Sequence, residues 1–432
     1  MTAVHDLWPR GVISRRGGVV APEVEVRRPT TYEEVAEILR TSARVVPFGG
    51  LSGVVGAVAP KAGEIALDMG AFDRILAIDE VDLTVHVQAG VRGGVLEEAL
   101  NARGLTLGHH PSSLPQATVG GLISTRSSGQ ESTRHGSIED MVLGLTVALP
   151  DGSLARPRPG PRSAVGPALH QLLVGAEGGL GVVLDAILRV HRRPASLEGG
   201  GWLFPGVESG LATVREIVQA DVRPLVLRLY DPEDTQFQGV SEPGCLLIAA
   251  TAGEPDVARA EAAVVARAAA GARELGREPW ERWLRHRYDL SGERMLDILE
   301  PPGAYLDTIE IAASWSRLPQ VYREVKKALT AASGLALCHF SHAYAQGCCA
   351  YFTFAGSAPD EAAALAAYDR CWAETMRICL ERGATISHHH GVGQARTAWA
   401  RQELDGWWPV WERLRDALDP RGVMNPRAVG GR

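Results

Sequence analysis

The residues best suited to chemistry stand in the second half of the chain. SHHHGVGQAR, Ser387 to Arg396, sets three consecutive histidines before two glycines. A metal site needs three or four ligands converging in space, and neighbours along a chain seldom all point inward. No carboxylate or cysteine flanks His388–His390 at ligand spacing, so no metal is expected. On a strand His388 and His390 would share a face with His389 opposite; a surface loop with fortuitous histidines is the bland alternative. Upstream, CHFSHAYAQGCCAYFTF (338–354) alternates so that Tyr351 and Thr353 share one face and Phe352 and Phe354 the other. A phenol of pKa about 10 serves as a base where nearby cations favour phenolate; otherwise Tyr351 is a core aromatic. Arginines hold phosphate or carboxylate in a planar fork and stay charged throughout.

Three glycine loops occupy the first half. PFGGLSGVVG (47–56) follows the short run 44–46. In it Pro47, Gly49, Gly50, Leu51, Ser52 and Gly53 let the backbone turn sharply and aim several N–H groups at one point, as a pyrophosphate requires. Alone, such a cluster is more often a tight turn. The second loop, 109–129, carries His109, Pro111, Ser112, Ser113, Ser124, Thr125 and Ser127, with Thr118, Gly120 and Gly121 set to press a flat ring. The third, 174–190, places Glu177, Gly178, Gly181 and Val182 before a strand that could pack on a dinucleotide. None is a G-x-G-x-x-G opening a helix inside a βαβ unit, and there is no G-K-[ST]; Rossmann and P-loop readings fail.

In combination, P-x-G-G-x-S, then P-x-S-x-x-x-x-T-V-G-G, then G-x-E-G-x-L-G resembles the PCMH-type FAD domain of the vanillyl-alcohol-oxidase family over roughly residues 20–195. Ala176 and Gly179 depart from the usual Ser and Thr. The resemblance implies FAD, with the first loop on the pyrophosphate, the second along the isoalloxazine and the third flanking it. Relatives that tether FAD use a histidine in the first loop, sometimes with a cysteine in the second; neither residue is present at 47–56 or 109–129 respectively, so non-covalent FAD is expected.

A Y-x-x-G-x-x-x-Y strand before S-H-H-H-G-V-G, with VLRLYD (226–231) and TIEIAASW (308–315), is similar to the alkyldihydroxyacetone-phosphate synthase branch of that family over nearly the whole chain. That resemblance implies Tyr351 as acid/base, Arg228 near flavin and substrate, and Arg294 as a second active-site arginine. It also implies a polar wall of His109, Thr118, Thr308, His389 and His390, with His388 and His342 in the substrate pocket. His339 stands where the eukaryotic enzyme has arginine, and His342 and Gln346 are further departures, leaving the substrate's polar head open. The implied reaction exchanges the acyl group of acyl-dihydroxyacetone phosphate for a fatty alcohol through a flavin N5 adduct, without net redox. The alternative is an FAD-linked oxidase or dehydrogenase of a hydroxy acid or alcohol. A non-catalytic flavin protein ranks third.

The elements that must position these residues read as α+β. A PCMH-type FAD-binding domain (20–195) precedes a cap domain of antiparallel sheet and helices (196–393), and a helical segment (394–432) returns to the first. Within the first, RPTTYEEVAEILRTS reads as a helix capped by Thr30 or Thr31; within the second, 256–275, 319–332 and 359–382 read as helices. The 432 residues suffice for two cores. A net charge of −7 with scattered basic residues argues against nucleic acid. Six cysteines without C-x-x-C spacing suggest free thiols in a reducing cytosol, and no secretory or spanning segment is evident. The expected partner is a small or lipid-like substrate; peripheral membrane contact and a homodimer stay open.

Overall fold

The computed structural model describes residues 3–158, 160–289 and 292–431, with no side-chain description for 292 and 293. Pro159, in the Pro/Arg-rich loop 156–162, lies outside the described residues. The first unit holds a three-stranded parallel sheet of Glu25–Arg27, Val45–Phe48 and Ile65–Asp68. Beside it stands a five-stranded antiparallel sheet centred on Thr84–Gln88, Val182–Arg189 and Val142–Ala148. Tyr32–Thr41 begins at Thr31, whose hydroxyl accepts from Glu34 N while the Glu34 carboxylate reaches back to the cap. Val35 and Leu39 on its inner face are fully buried.

A seven-stranded antiparallel sheet forms the second unit. In spatial order its strands are Arg273–Gly276, Ser196–Phe204, Cys245–Gly253, Val226–Tyr230, Leu335–Tyr344, Gly347–Ser357 and Ala304–Ser314. Alternation decides its two faces. Leu227, Leu229, Ile309, Ile311, Phe340, Phe352 and Phe354 pack under the helices Val207–Gln219, Leu318–Ser333 and Glu361–Arg382. Each buried phenylalanine contributes roughly 1.5–3 kcal/mol, which fixes the register and turns Tyr351 and Thr353 to the half-buried side. That is the arrangement expected from the alternation.

Two readings change. The segment 256–275 is a helix only over Pro255–Ala268; after Gly271 the chain extends and Arg273–Gly276 becomes an edge strand. Gly199–Gly201, just past the boundary expected at 195/196, lies inside the strand Ser196–Phe204. A Cβ on Gly199 would fall 2.5 Å from Trp280 Cδ1 and one on Gly201 2.9 Å from Pro279 Cγ, so the glycines admit the helix Glu278–His286 onto the sheet.

Both ends of the chain cross between units. The helix Pro9–Arg16, absent from the sequence reading, buries Ile13 in the second unit's core and forks Asp369 through Arg10 at 2.7 and 2.9 Å. At the other end Val45 N donates to Val423 O at 2.7 Å, and Asn425 Nδ2 donates to Ala57 O and Glu177 O, each at 2.9 Å. All six cysteines are buried and free. Among the described residues no helix is long and apolar enough to cross a membrane.

Candidate active site

The three glycine loops close on one another. A Cβ on Gly49 would lie 2.1 Å from Thr118 Oγ1, on Gly50 2.1 Å from Gln116 O, and on Gly178 2.6 Å from Pro47 Cγ. The first loop is therefore clamped between the other two by approaches only glycine permits. Gly120 likewise presses Ala89, whose Cβ a new methyl would meet at 2.8 Å, whereas one on Gly121 would meet only Thr118 Oγ1, at 3.3 Å. Gly121 thus faces open space, whereas Gly49, Gly50 and Gly120 bring protein to protein, so of the two glycines expected to press a flat ring only Gly121 is free to do so. Leu51 holds the turn at φ +54°, a conformation costing roughly 1–2 kcal/mol.

His109 is fully buried, its Nε2 2.8 Å from Ser127 Oγ and its Nδ1 without a partner. Burial pushes its pKa down to about 3, so the ring is neutral. A buried ring nitrogen left unpaired beside glycine loops is where a polar ligand would complete the pairing, and the residues present fit a dinucleotide there. Not all the predicted contacts face that space. Gly181 abuts Ala148 O and Val182 is core, packed with Val35 and Leu39. Ser112 is exposed, Pro111, Ser113 and Ser52 are half-buried, Thr125 Oγ1 donates to Gly121 O, and Ser124 O accepts from Glu177 N. The Glu177 carboxylate turns away from the loops and accepts N–H groups of Val392 and Gly393 at 2.8 and 3.0 Å.

The polar face of the large sheet supplies the rest. Tyr351 stands between Glu310 and His339 on its two neighbouring strands, with Thr308 on the same face. The His339 ring stacks on it at 4.7 Å and 15°, His389 lies near-parallel at 5.9 Å, and His390 meets it edge-on at 5.6 Å. Arg228 Nε donates to Tyr230 Oη at 3.1 Å and Nη2 to His339 Nε2 at 2.8 Å. Since an arginine only donates, His339 carries its proton on Nδ1, facing Asp234 at 3.4 Å. Burial and Arg228 push the His339 pKa down to about 4. Burial, Glu310, Asp307 and Cys349 push the Tyr351 phenol above its ordinary range, against a smaller pull from Thr308. The cations that would favour phenolate are not its neighbours. Tyr351 therefore rests as the phenol at neutral pH, the acid form of the acid/base role that the resemblance implied.

The histidine triplet is no strand. His388, His389 and His390 each donate their backbone N–H to Glu310 Oε1, at 3.1, 3.0 and 2.7 Å, so the loop curls and the rings gather instead of alternating. Ser387 Oγ joins the same oxygen at 3.0 Å, and Arg396, wholly buried, pairs with Glu310 Oε2. Although burial opposes it, Arg396, His390 and these N–H groups bring the Glu310 pKa down to about 2. Burial keeps the three imidazoles neutral. His342, at φ +52° in a bulge of its strand, brings its ring within 4.9 Å of His388 and 5.0 Å of His389. Ring nitrogens of His342, His388 and His389 lie within 4.8 Å of one another, a grouping that could hold a cation and that sequence spacing did not suggest. Hydrogen bonds already engage them: His388 Nδ1 with His389 Nδ1 and Nε2 with Tyr344 Oη, both at 2.8 Å, and His342 Nδ1 with Ser132 Oγ.

Arg294 is not brought in. It is 62% exposed on the helix Gly292–Leu299 and donates to Asp289 O. Arg287 lies nearer, forked on Glu131 and over the ring of Trp283, which Arg228 also faces. Glu310 and Arg396, the anchors of the triplet, were missed as functional residues; Glu310, between Ile309 and Ile311, was the available signal, whereas Arg396 sits in a polar helix that marks it in no way.

Residues 25–157 match the model described as FAD binding domain, and 193–429 that described as FAD linked oxidases, C-terminal domain. The chain belongs to the FAD-linked oxidase family. It is an FAD-dependent enzyme. Within the family it is 31% identical to an alkyldihydroxyacetonephosphate synthase of Dictyostelium discoideum, over 97% of this chain and 75% of that one. It is 32% identical to an uncharacterized FAD-linked oxidoreductase of Escherichia coli K12, over 88% and 81%. A solved alkyldihydroxyacetonephosphate synthase superposes with a TM-score of 0.82 at 26% identity, covering 98% of this chain and 80% of that one.

Proposed function

We propose that this enzyme exchanges the acyl group of an acyl-dihydroxyacetone phosphate for a long-chain alcohol without net oxidation. One observation carries the reading. Arg228 is half-buried and hydrogen-bonded to two neutral partners, Tyr230 and His339, and the His339 ring stacks on Tyr351. Its charge is therefore available to an anionic head group, which a planar fork holds in fixed register. Bound FAD would supply a ring able to accept and return an electron pair at the reacting carbon. The acyl group leaves as its carboxylate, too weak a base to need a proton from a phenol, and the Tyr351 Oη takes up the proton of the incoming alcohol as it passes its own to solvent. Acyl substrate plus alcohol thus become alkyl ether plus fatty acid, and the tyrosine ends as it began. The neutral imidazoles orient polar groups without competing for the anion.

Non-covalent FAD belongs to the same reading, because 47–56 hold no histidine and 109–129 no cysteine. So does a cytosolic setting, with a lipid-like substrate drawn from a membrane surface and a homodimer as proposals for the assembly. A second reading, oxidation of a hydroxy acid, is favoured by neutral His339. It leaves Arg228 as the fixed charge touching that strand, enough for a single carboxylate. Anaerobic incubation with acyl-dihydroxyacetone phosphate and deuterated hexadecanol decides between them. Deuterated ether product supports the synthase; no ether, with flavin bleaching on a hydroxy acid, supports the oxidase.

A further inference from the structure

The loop from Ser387 to Gly393 is held by two buried carboxylates, one from each unit. Glu310, 0% exposed in the large sheet, takes the N–H groups of His388, His389 and His390 and the Ser387 hydroxyl. Glu177, 5% exposed in the third glycine loop, takes the N–H groups of Val392 and Gly393. Arg396 closes the back, donating to Ile386 O, Gly391 O and Glu310. Consecutive N–H groups curled into a concavity ordinarily receive an anion from outside; here two side chains fill it. Gly391 admits the Glu177 carboxylate, and Gly393 the backbone of the first glycine loop. A Cβ on Gly391, at φ +88°, would lie 2.3 Å from Glu177 Oε1, and one on Gly393, at φ +46°, 2.4 Å from Val55 O in the first loop.

We propose that Glu177 and Glu310 are positioning residues that strap the histidine loop between the flavin-binding loops and the Tyr351 sheet. Neither is placed to touch substrate. The strap makes the ring positions of His389 and His390 over Tyr351 depend on the third glycine loop, and so on whatever that loop holds. This does not rest on which substrate the enzyme takes. A glutamine keeps the size of the side chain but turns an NH2 toward donors at one of its two ends.

The test is amide hydrogen exchange on the FAD-loaded protein, with kcat and KM in parallel on whichever substrate turns over. Glu177→Gln should speed exchange at 392–393, and Glu310→Gln at 388–390, by about tenfold or more, while peptides of the sheet strands keep wild-type protection. Turnover should fall through kcat with KM little changed. Because Glu310→Gln strands a buried Arg396, the double variant Glu310→Gln/Arg396→Met tests the same amides if the single variant does not fold. Unchanged exchange across 388–393 in the folded variants would overturn the proposal. So would acceleration spread evenly over the sheet, the mark of a merely structural role.

Discussion

At the scale of single residues, Tyr351 decides the chemistry proposed. Its face of the strand is polar because its neighbours Phe352 and Phe354 are claimed by the core. Tyr351→Phe removes only the hydroxyl, so fold and yellow colour should survive while turnover falls by on the order of a hundredfold or more. Steady-state rates with flavin occupancy measured in the same sample check this; full flavin and full rate would reduce Tyr351 to packing. Arg228→Lys keeps the charge and loses the fork that donates to both Tyr230 and His339. A loss of roughly tenfold or more in kcat/KM is expected with FAD retained, since two well-oriented hydrogen bonds to an anion are each worth ~1.5 kcal/mol or more. Wild-type kinetics in that variant would take Arg228 out of the site.

At the scale of elements, the glycine loops and the histidine loop tell different stories about what a sequence discloses. The three loops were legible because a backbone that must approach another loop closely leaves glycine as its trace: Gly49 against the Thr118 side chain, Gly50 against the Gln116 carbonyl, Gly178 against the Pro47 ring. Gly120→Val should drive its side chain into Ala89, displacing the segment Val119–Ser124 and yielding largely apo-protein. Absorbance of the purified variant against wild type measures this, and an unchanged flavin content would contradict it. The histidine loop was legible as a motif and illegible as a shape. Strand alternation would have split His389 from its neighbours, but a carboxylate 77 or more residues away gathers all three N–H groups, and no local pattern announces so distant a partner. His342 was expected in the pocket, but the bulge that turns it into the triplet was not, and the same blindness placed Arg294, which the fold leaves exposed. Because hydrogen bonds already engage the gathered rings, chelation should leave activity intact and elemental analysis should find no stoichiometric metal. A bound ion whose removal abolishes turnover would instead assign His342, His388 and His389 as its ligands.

At the scale of the whole molecule, the chain ties its two units together at both ends. The helix Pro9–Arg16 grips the second unit, and the stretch around Asn425 returns to the first, touching Ala57 and Glu177. Composition and alternation were enough to read an α+β chain with an antiparallel second sheet. The N-terminal helix escaped because it is short, Arg-rich and without clear amphipathic spacing. Under the function proposed, this site moves protons and groups with no net electron transfer, although the family's other members include oxidoreductases by name. Electron stoichiometry tests it most directly: oxygen uptake and reduction of an artificial acceptor, measured during turnover of acyl-dihydroxyacetone phosphate with a long-chain alcohol. Ether should form with no acceptor consumed; one acceptor reduced for each substrate lost would show net oxidation and rule the exchange out.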